Sequence, residues 1–539
     1  MKKLLVCILL IALIFSLTAC DWHEDPDLGD DNHEQEEEIV QDYEREFGDD
    51  ISVKNDYFYE DYSEQEKNLY YTLWKETTTV SIKVDIEPSE LVKINEAFDD
   101  YQQGNTLKAD TYRKCNLTIT VNGQDFYYEE VGIRMRGNTS RRHFANSDGT
   151  VYDFVHFRFN LSETFDGDEY ENGAWGADIY HNWDGNSSAR KERKNRSFAT
   201  MEKFYYKWNK NYDQTYIREV YANRMFQAYG ILAPHITLTQ FQMKQNGAMQ
   251  NFGVGNLYET IDKAFIKRNF GKERKGGDLY KCTWGADFTS FSNYGVETPT
   301  QTFTYSLKTN DDRQAEDYNH NRYLKSFIEM LQTSVNASDF SDKLETMVDM
   351  DYFAYFEAIN YLLGNPDCIR NNKNNFYIYF VPVSDGNYSK SKAYIIPYDY
   401  DRCLGANMDW NPQQSMVNAK PYDKSSWAGN NNNPLYTKTI LVSGSTYRAK
   451  YTTALQTVLD GEWFTYANYQ RLYNAYKANY NGLTQPSALI QQLCQSHIQM
   501  SRFVFSEVEG SNIEDQANNL SVQTYFLVKR NTATNNLDK

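Results

Sequence analysis

Apolar positions at helical spacing, followed by two short apolar runs, occupy the region between residues 351 and 397. Residues Asp351–Leu363 place aromatic and aliphatic side chains on one face, which predicts an amphipathic helix. Gly364 stands where such a helix usually ends. Strands are predicted at Phe376–Val381 and Ala393–Pro397, because both runs are rich in aromatic and aliphatic residues and turn residues lie between them. The sequence therefore predicts a helix, a loop and a β-hairpin in this order.

Acidic and amide side chains lie at both ends of this hairpin unit. Asp367 is in the loop after the helix, whereas Asp399 and Asp401 directly follow the second strand. Four asparagines follow Asp367 in the loop: Asn371, Asn372, Asn374 and Asn375. This order brings carboxylates from both ends of the hairpin to one edge, and such hard oxygen ligands suit Mg²⁺ beside substrate phosphates. The alternative is structural, since Asp and Asn are common turn residues.

Alternating apolar positions upstream predict a β-rich region. Strands are expected at Thr77–Glu87, Asn116–Asn122 and Tyr127–Met135. A helix is expected over Pro88–Tyr101, with Ser89 as its N-cap. The N-terminal part of the fold is therefore expected to be rich in β-strands.

Two features after these strands favour anion binding. Arg136 begins a glycine-centred turn, and both a guanidinium group and backbone amides favour phosphate, although the motif alone is more typical of an ordinary turn. A short aromatic run predicts a strand that carries Lys203 and Lys207. An amphipathic helix is then predicted over Tyr216–Tyr229, ending at Gly230.

Several segments resemble, in the same order, the signatures of the CotH family of spore-coat protein kinases. They are VGIRMRGNTSR, YKWNKNYDQTYIRE, NLYETIDKAFIKRNF, GDLYKC and YSLKTN, followed by NPDCIRNNKNNFYIY and IIPYDYDRCLG in the hairpin unit. The segments extend over most of residues 70–410. The resemblance implies an atypical protein kinase that uses ATP and a divalent metal, Mg²⁺ or Mn²⁺. It also implies that Asp367 and Asp399 are the essential acidic pair.

The resemblance suggests roles for residues of the nucleotide side. Lys207 matches the family's lysine ahead of an Arg-Glu pair, so it would hold nucleotide phosphates, and Glu219 would fix it as an ion pair. The alternative is a surface lysine with a charge pair on a helix face. Arg136 would also neutralise phosphates. Glu259, at the end of a predicted strand, corresponds by analogy to the adenine-side hinge of kinase-like folds.

The metal side is assigned in the same way. Asp399 would bind the metal with help from Asn375, and Asp401 would reach the same metal or lie at the following bend. Two departures from the family pattern stand out. Tyr398 replaces the Trp that many relatives have before the first aspartate of IIPYDYD. The long segment Arg142–Thr200 replaces a short lysine-containing strand, which leaves the identity of the phosphate-binding lysine open.

The N terminus is expected to target the protein. A positive start and a short apolar run predict a signal peptide, and LTAC resembles a lipobox, so Cys20 is expected to be lipidated. The alternative is an uncleaved anchor, which the short apolar run disfavours.

Residues 21–50 hold 15 acidic residues and one basic residue, and the chain has a net charge of −19, which predicts an extended spacer rather than a partner-binding segment. A lipid-anchored protein on the extracytoplasmic face of the cell membrane is expected, and nucleic acid is not expected as a partner.

Cysteine and histidine usage argues against several classes of enzyme. Five of the seven cysteines lie beyond the leader without zinc or redox spacing, and the 8 histidines form no ligand motif. The sequence also lacks a nucleophile elbow, a Walker loop and a dinucleotide-binding glycine pattern. Cys368 and Cys403 lie close to the key aspartates, so a disulfide between them is left open.

The sequence is therefore interpreted as an α+β protein with an atypical protein-kinase-like fold, a β-rich N-terminal lobe and a helical C-terminal part. A leader is expected at 1–19, a disordered acidic spacer at 20–65, a β-rich region at 66–135, the kinase-like domain at 136–480 and a helical extension at 481–539. The expected activity is phosphorylation of Ser, Thr or Tyr on a protein at the cell surface or in the spore coat. Because ATP is scarce outside the membrane, a surface module that binds a glycan or protein is the alternative. A metal-dependent hydrolase is disfavoured because no nucleophile can be named.

Overall fold

Seven strands between residues 80 and 259 form a closed β-barrel. The strands are β1 (Val80–Asp85), β2 (Arg113–Val121), β3 (Gln124–Arg136), β4 (His156–Asn160), β5 (Lys203–Trp208), β6 (Ile236–Gln245) and β7 (Ala248–Glu259). Their order around the barrel is β1-β2-β3-β4-β5-β7-β6, and the parallel pairing of β1 with β6 closes the ring. Alternate residues of β1 and β2 are buried, as expected when one face of each strand points into the core.

The computed structural model describes most of the chain from residue 62 onward. The described ranges are 62–102, 111–137, 140–173, 175–298, 301–310, 321–406, 416–426, 431–506 and 520–537. All of them belong to one structural unit. The predictions for the leader, for Cys20 and for the acidic segment 21–50 lie outside the described residues.

A five-stranded sheet and most of the helices make up the rest of the fold. The strands are β8 (Asp278–Cys282), β9 (Tyr294–Val296), β10 (Tyr305–Leu307), β11 (Phe376–Phe380) and β12 (Ala393–Pro397), in the order β12-β11-β8-β10-β9. The α-helices are α1 (Glu64–Trp74), α2 (Pro88–Gln102), α3 (Asp168–Glu171), α4 (Ser187–Lys194), α5 (Arg218–Ala228), α6 (Lys263–Arg274), α7 (Arg322–Gln332), α8 (Phe340–Met347), α9 (Met350–Leu363), α10 (Thr446–Asp460), α11 (Tyr466–Tyr480), α12 (Ala488–Cys494) and α13 (Val522–Asn535). Short 3₁₀ or π turns lie at Ala177–Ile179, Tyr388–Lys390, Lys424–Ser426, Tyr436–Ile440 and Met500–Arg502. This mixture of helices and sheets confirms the α+β class.

The barrel extends beyond the predicted β-rich region. The three strands expected there are present as β1, β2 and β3, and the strand predicted to carry Lys203 and Lys207 joins them as β5. The barrel ends at Glu259. A closed ring leaves no unpaired strand edge, which is the physical advantage of recruiting β4 to β7. Helix α2 begins at Pro88, so Ser89 lies inside its first turn and is not the N-cap. Proline suits the first helical position because that position needs no N–H donor.

Helix α9 and the β11–β12 hairpin confirm the predicted central unit. The Asp349 side chain accepts two backbone N–H groups at the start of α9, and Gly364 ends the helix with a φ of 62°. A Cβ atom at Gly364 would lie 1.9 Å from the hydroxyl of Tyr525 on α13. The C-terminal helix therefore covers the end of α9, from which the Asp367 loop departs.

Helix α13 forms the last part of the predicted helical extension. It extends to Asn535. Lys529 of this helix is fully buried, its Nζ donates to the carbonyl of Met416 at 2.8 Å, and it lies 3.6 Å from the centre of the Tyr361 ring. These contacts hold the last helix against the body of the protein.

The structure also bears on the possible disulfide and on membrane-spanning helices. The five cysteines beyond the leader are buried and free, so Cys368 and Cys403 do not form a disulfide. In the part of the chain that the structure describes, no helix combines the length and apolar character that crossing a membrane requires.

Candidate active site

Lys207 is the centre of a buried charge cluster. Its side chain extends from β5, the residue is 7% exposed, and its Nζ donates to both carboxylate oxygens of Glu219 at 2.9 and 3.0 Å. The same Nζ lies 2.5 Å from Oδ1 of Asp399 and 3.0 Å from Oδ2 of Asp401. One ammonium group is therefore shared by three carboxylates.

Three parts of the fold meet at this lysine. β5 belongs to the barrel and carries Lys207, and the first turn of α5 carries Glu219. Asn256, opposite Lys207 on β7, donates its amide to Glu219 at 3.3 Å. Asp399 follows β12 with a φ of 60°, a left-handed conformation that Asp tolerates better than most residues. This bend after the strand lets both Asp399 and Asp401 contact the lysine.

The excess of negative charge shifts the pKa values of the cluster. Burial raises the pKa of Glu219 to about 7, and Asp401 and Asp399 add to this effect against the opposing charge of Lys207. Burial alone would lower the pKa of Lys207, but the three carboxylates outweigh it and keep the amine charged. Burial would raise the pKa of Asp399, but Lys207, Arg136 and Lys281 hold that pKa well below its usual range. The cluster thus carries surplus negative charge that a further cation would neutralise.

Asp367 lies in a separate set of amide groups. Its carboxylate accepts hydrogen bonds from Nδ2 of Asn372 at 2.6 Å, Asn374 at 2.9 Å and Asn375 at 2.9 Å. Asn365 accepts the backbone N–H of Asp367 and donates to the carbonyl of Asp399, at 3.0 and 3.2 Å. Asn365 therefore ties the Asp367 loop to the Asp399 bend.

The pKa of Asp367 is raised, chiefly by burial and further by the charges of Asp399 and Asp401, although the amides of Asn372 and Asn374 oppose this. A carboxyl group with a raised pKa accepts a proton more readily near neutral pH. Asn375, expected beside Asp399, instead donates to Asp367.

Two further cations, Arg136 and Lys281, lie near Asp399. The guanidinium of Arg136 stacks 3.7 Å from the ring centre of Tyr205 and 5.6 Å from that of Tyr398, and Nζ of Lys281 lies 5.1 Å from the Tyr398 ring. Within the described ranges, neither cation forms an ion pair at contact distance. Burial, with Arg136 and Lys308 nearby, lowers the pKa of Lys281 to about 8. Positive charge that forms no contact ion pair among the described residues thus lies next to the carboxylate cluster.

Glu259 is not part of the carboxylate cluster. Its carboxylate is fully buried and accepts hydrogen bonds from the Tyr70 hydroxyl at 2.8 Å, Arg268 at 2.5 Å and the backbone N–H of His235 at 2.9 Å. All of these partners are protein groups, so the side chain has no open face toward a nucleotide. The predicted role of Glu259 in nucleotide binding stays a prediction.

Sequence reasoning missed one residue of the site, Lys281, and the role of another, Asn372. Lys281 lies within the quoted GDLYKC segment, and its alignment with Tyr377 on β11 was not apparent before the sheet order was known. Asn372 stands five residues after Asp367, the spacing between Asp and Asn in kinase catalytic loops, and this signal was available in the sequence.

The carboxylate and amide side chains beside Lys207 are the groups that could bind a metal ion. Among the described residues, no group of three or more His, Cys, Asp or Glu side chains is arranged to hold a metal ion. A small recess opens beside Lys207, and its lining includes Asp401, Glu219, Asn256 and Asp213. Mg²⁺ usually binds through one or two carboxylates together with substrate phosphates and water, so this donor set is compatible with a metal that arrives with its nucleotide.

Comparison with known proteins identifies the family. A family model described as CotH kinase protein matches residues 133–521. The chain belongs to the CotH kinase family. All the candidate residues around Lys207, Asp367 and Asp399 lie within the matched part of this CotH family member. No curated protein matches the chain.

Proposed function

We propose that this CotH family member is a protein kinase that transfers the γ-phosphoryl group of ATP to a Ser, Thr or Tyr hydroxyl of a protein. The observation that carries the proposal is the arrangement of charge around Lys207 and Asp399. The carboxylates of Glu219, Asp399 and Asp401 share Lys207, and two further cations, Arg136 and Lys281, lie near Asp399 without a contact ion pair among the described residues. A metal–nucleotide complex offers the complementary charges, a divalent cation joined to polyanionic phosphates.

Residues of the barrel are proposed to bind the phosphates. The Lys207–Glu219 ion pair corresponds to the lysine–glutamate pair that protein kinases require. Glu219 would orient Lys207, and Arg136 and Lys281 would neutralise further phosphate oxygens. Because an approaching phosphate competes with Asp399 for Lys207, nucleotide binding is expected to loosen the contact between these two side chains.

Residues after α9 are proposed to act on the metal and the acceptor. Asp399 and Asp401 would hold the metal, with an amide oxygen from Asn375 or Asn372 in support. Mg²⁺ or Mn²⁺ bound there would stabilise negative charge on the transferring phosphoryl group. Asp367 would orient the acceptor hydroxyl and receive its proton, which fits its raised pKa and its fixed position among three amides. A kinase-like architecture, in which β-lobe and helical residues meet at a cleft, is part of the same proposal.

The test is nucleotide binding by isothermal titration calorimetry, with and without Mg²⁺ or Mn²⁺. The chain should bind ATP only with a divalent metal, and Asp367→Asn should retain this binding while losing transfer of labelled phosphate to a generic protein. Asp385→Asn, in the exposed turn between β11 and β12, is the matched control. A protein that binds no nucleotide under either condition would refute the kinase proposal and favour the surface-binding alternative.

The location is proposed on the N-terminal sequence alone. Cys20 would be lipidated after removal of the leader, and the acidic segment 21–50 would hold the folded part away from the membrane. A protein substrate at the cell surface or in the spore coat follows from that location. Labelling of membrane fractions with a fatty-acid analogue tests this, and equal labelling of Cys20→Ser would contradict it.

A further inference from the structure

Helix α1 joins the fold at the end of β7. It lies outside residues 133–521, which match the CotH family. The hydroxyl of Tyr70, in the middle of the helix, donates to Oε1 of Glu259 at 2.8 Å. Tyr70 is 6% exposed and Glu259 is 0% exposed, so water cannot readily replace this hydrogen bond. A segment just after the acidic stretch is therefore tied to the last residue of a barrel strand.

The contact belongs to a network that fixes Glu259 from three directions. Arg268 of α6 forms an ion pair with Oε1 of Glu259 and lies 5.3 Å from the Tyr70 ring, and the backbone N–H of His235 donates to Oε2. The His235 ring stacks on Trp74 of α1 with ring centres 5.3 Å apart. Burial lowers the pKa of His235 to about 4, so the ring is neutral at physiological pH. The network joins α1, β7 and α6 at one buried point.

The opposite face of the same strand end contacts the candidate active site. Successive side chains of a strand point to opposite faces, so Asn256 and Tyr258 face away from Glu259. Asn256 donates to Glu219 at 3.3 Å, and the hydroxyl of Tyr258 accepts the backbone N–H of Asp399 at 3.4 Å. Displacement of the end of β7 would therefore move contacts of both Glu219 and Asp399.

We propose that Tyr70 is a positioning residue, and that α1 acts through Glu259 and β7 to set the geometry of Glu219 and Asp399. The competing explanation is that the helix only adds stability by covering apolar surface. Loss of the Tyr70 hydroxyl distinguishes these explanations. If Tyr70 is a positioning residue, the loss changes the active site selectively. If the helix only adds stability, the loss has no selective effect on the active site. Only the nucleotide readout below rests on the proposed kinase function.

The test uses Tyr70→Phe in the full mature chain, which removes the hydroxyl and keeps the ring packed. The matched control is Tyr480→Phe. Tyr480 is a buried tyrosine whose hydroxyl donates to the carbonyl of Leu238 at 2.7 Å and accepts the N–H of Val80 at 2.8 Å. Both changes delete a buried tyrosine hydroxyl, but the control hydroxyl contacts Val80 on β1 and Leu238 on β6 and does not contact Glu259.

The first measurement is hydrogen exchange, which requires no nucleotide. In Tyr70→Phe, the amides of Glu259 and Asp399 should exchange faster, whereas Tyr480→Phe should affect the amide of Val80 and leave Asp399 unchanged. The second is the dissociation constant of Mg-ATP, which should rise roughly 2- to 30-fold in Tyr70→Phe and stay constant in the control.

Two results would overturn the inference. One is unchanged exchange at Asp399 in Tyr70→Phe. The other is that Tyr70→Phe and Tyr480→Phe lose the same amount of stability and bind nucleotide with the same affinity. Helix α1 would then be a purely structural element. If wild-type protein binds no nucleotide, the kinase proposal fails, and the exchange data alone still decide whether Tyr70 positions the cluster.

Discussion

Replacing Lys207 with Met should separate the two duties of this lysine, neutralising buried carboxylates and binding nucleotide. Met is similar in length and fills the same space without the charge. The change leaves Glu219, Asp399 and Asp401 without their shared ammonium group. Both stability and nucleotide affinity should therefore fall, and the structure indicates which carboxylate causes the loss of stability.

Removing one partner of a buried ion pair costs about 3–5 kcal/mol, because the remaining charge stays out of water. The Glu219 side chain is only 3% exposed, so its unpaired charge would stay out of water and account for most of the loss of stability. The side chains of Asp399 and Asp401 are 37% and 26% exposed, so water can solvate their charges. Asn256 still donates to Glu219 at 3.3 Å, which offsets part of the loss. The expected decrease in unfolding free energy is about 3 kcal/mol.

This cost should depend on pH. The pKa of Glu219 is higher in the folded protein than in the unfolded chain, because burial and the neighbouring Asp401 and Asp399 oppose its ionisation. A carboxyl group of this kind stabilises the fold most below its unfolded pKa, and the contribution is lost as pH rises through the folded pKa. Without Lys207 the folded pKa of Glu219 rises further. The variant should therefore be closest to wild type at pH 5.5 and furthest from it at pH 8.

Urea unfolding followed by tryptophan fluorescence measures the difference, with Lys203→Met as the control on the same strand. Lys203 is partly exposed at the start of β5, so its replacement should change stability by less than about 0.5 kcal/mol. In a Glu219→Gln background, Lys207→Met should cost about 0.5–3 kcal/mol less than in wild type. Additive effects of the two changes, or equal losses in Lys203→Met, would refute the ion-pair reasoning.

Three further predictions follow from the same site. Asp399→Asn should abolish metal-dependent transfer of labelled phosphate, whereas Asp401→Asn should retain measurable transfer across a Mg²⁺ titration. An active Asp399→Asn protein would contradict the assignment of Asp399 as a metal ligand. Wild-type activity should rise between pH 6 and 8 as Glu219, with its pKa raised to about 7, loses its proton and pairs with Lys207; Glu219→Gln should be weakly active and lack this rise in its pH–rate profile. Deletion of residues 21–50 should change the melting temperature by less than about 5 °C, measured by differential scanning calorimetry, and a larger fall would mean that the segment packs on the fold.

The acidic hairpin unit could be predicted because its signals are local. The helical spacing before Gly364, the turn residues of the hairpin and the positions of Asp367 and Asp399 all lie within 50 residues of one another. Strand β12 ends at Pro397, as predicted, and the bend that follows brings Asp399 to the site. The Lys207–Glu219 pair was expected from the family resemblance, with a surface lysine as the alternative, and the structure brings the two side chains together.

Other parts of the fold could not be predicted, because they depend on contacts between distant residues. The closing pair of the barrel joins β1 to β6, with Ile82 opposite Phe241, and no local pattern marks that partnership. Similarly, the sequence places Glu259 at a strand end, by analogy with a kinase hinge, but it does not show the groups around its side chain. Its burial depends on Tyr70, 189 positions earlier, and on Arg268. Local sequence can place a carboxylate at a strand end but cannot say which side chains surround it.

The C-terminal helix shows how such distant contacts converge on the proposed catalytic loop. The hydroxyl of Tyr525 on α13 donates to the carbonyl of Leu362 at 3.1 Å, in the last turn of α9. Gly364 follows within two residues, and the loop with Asp367 begins there. Since α1 holds the end of β7 and α13 holds the end of α9, each terminal helix supports one of the two segments that contact Asp399. The site residues come from the middle of the chain, but their relative positions depend on helices near both of its ends.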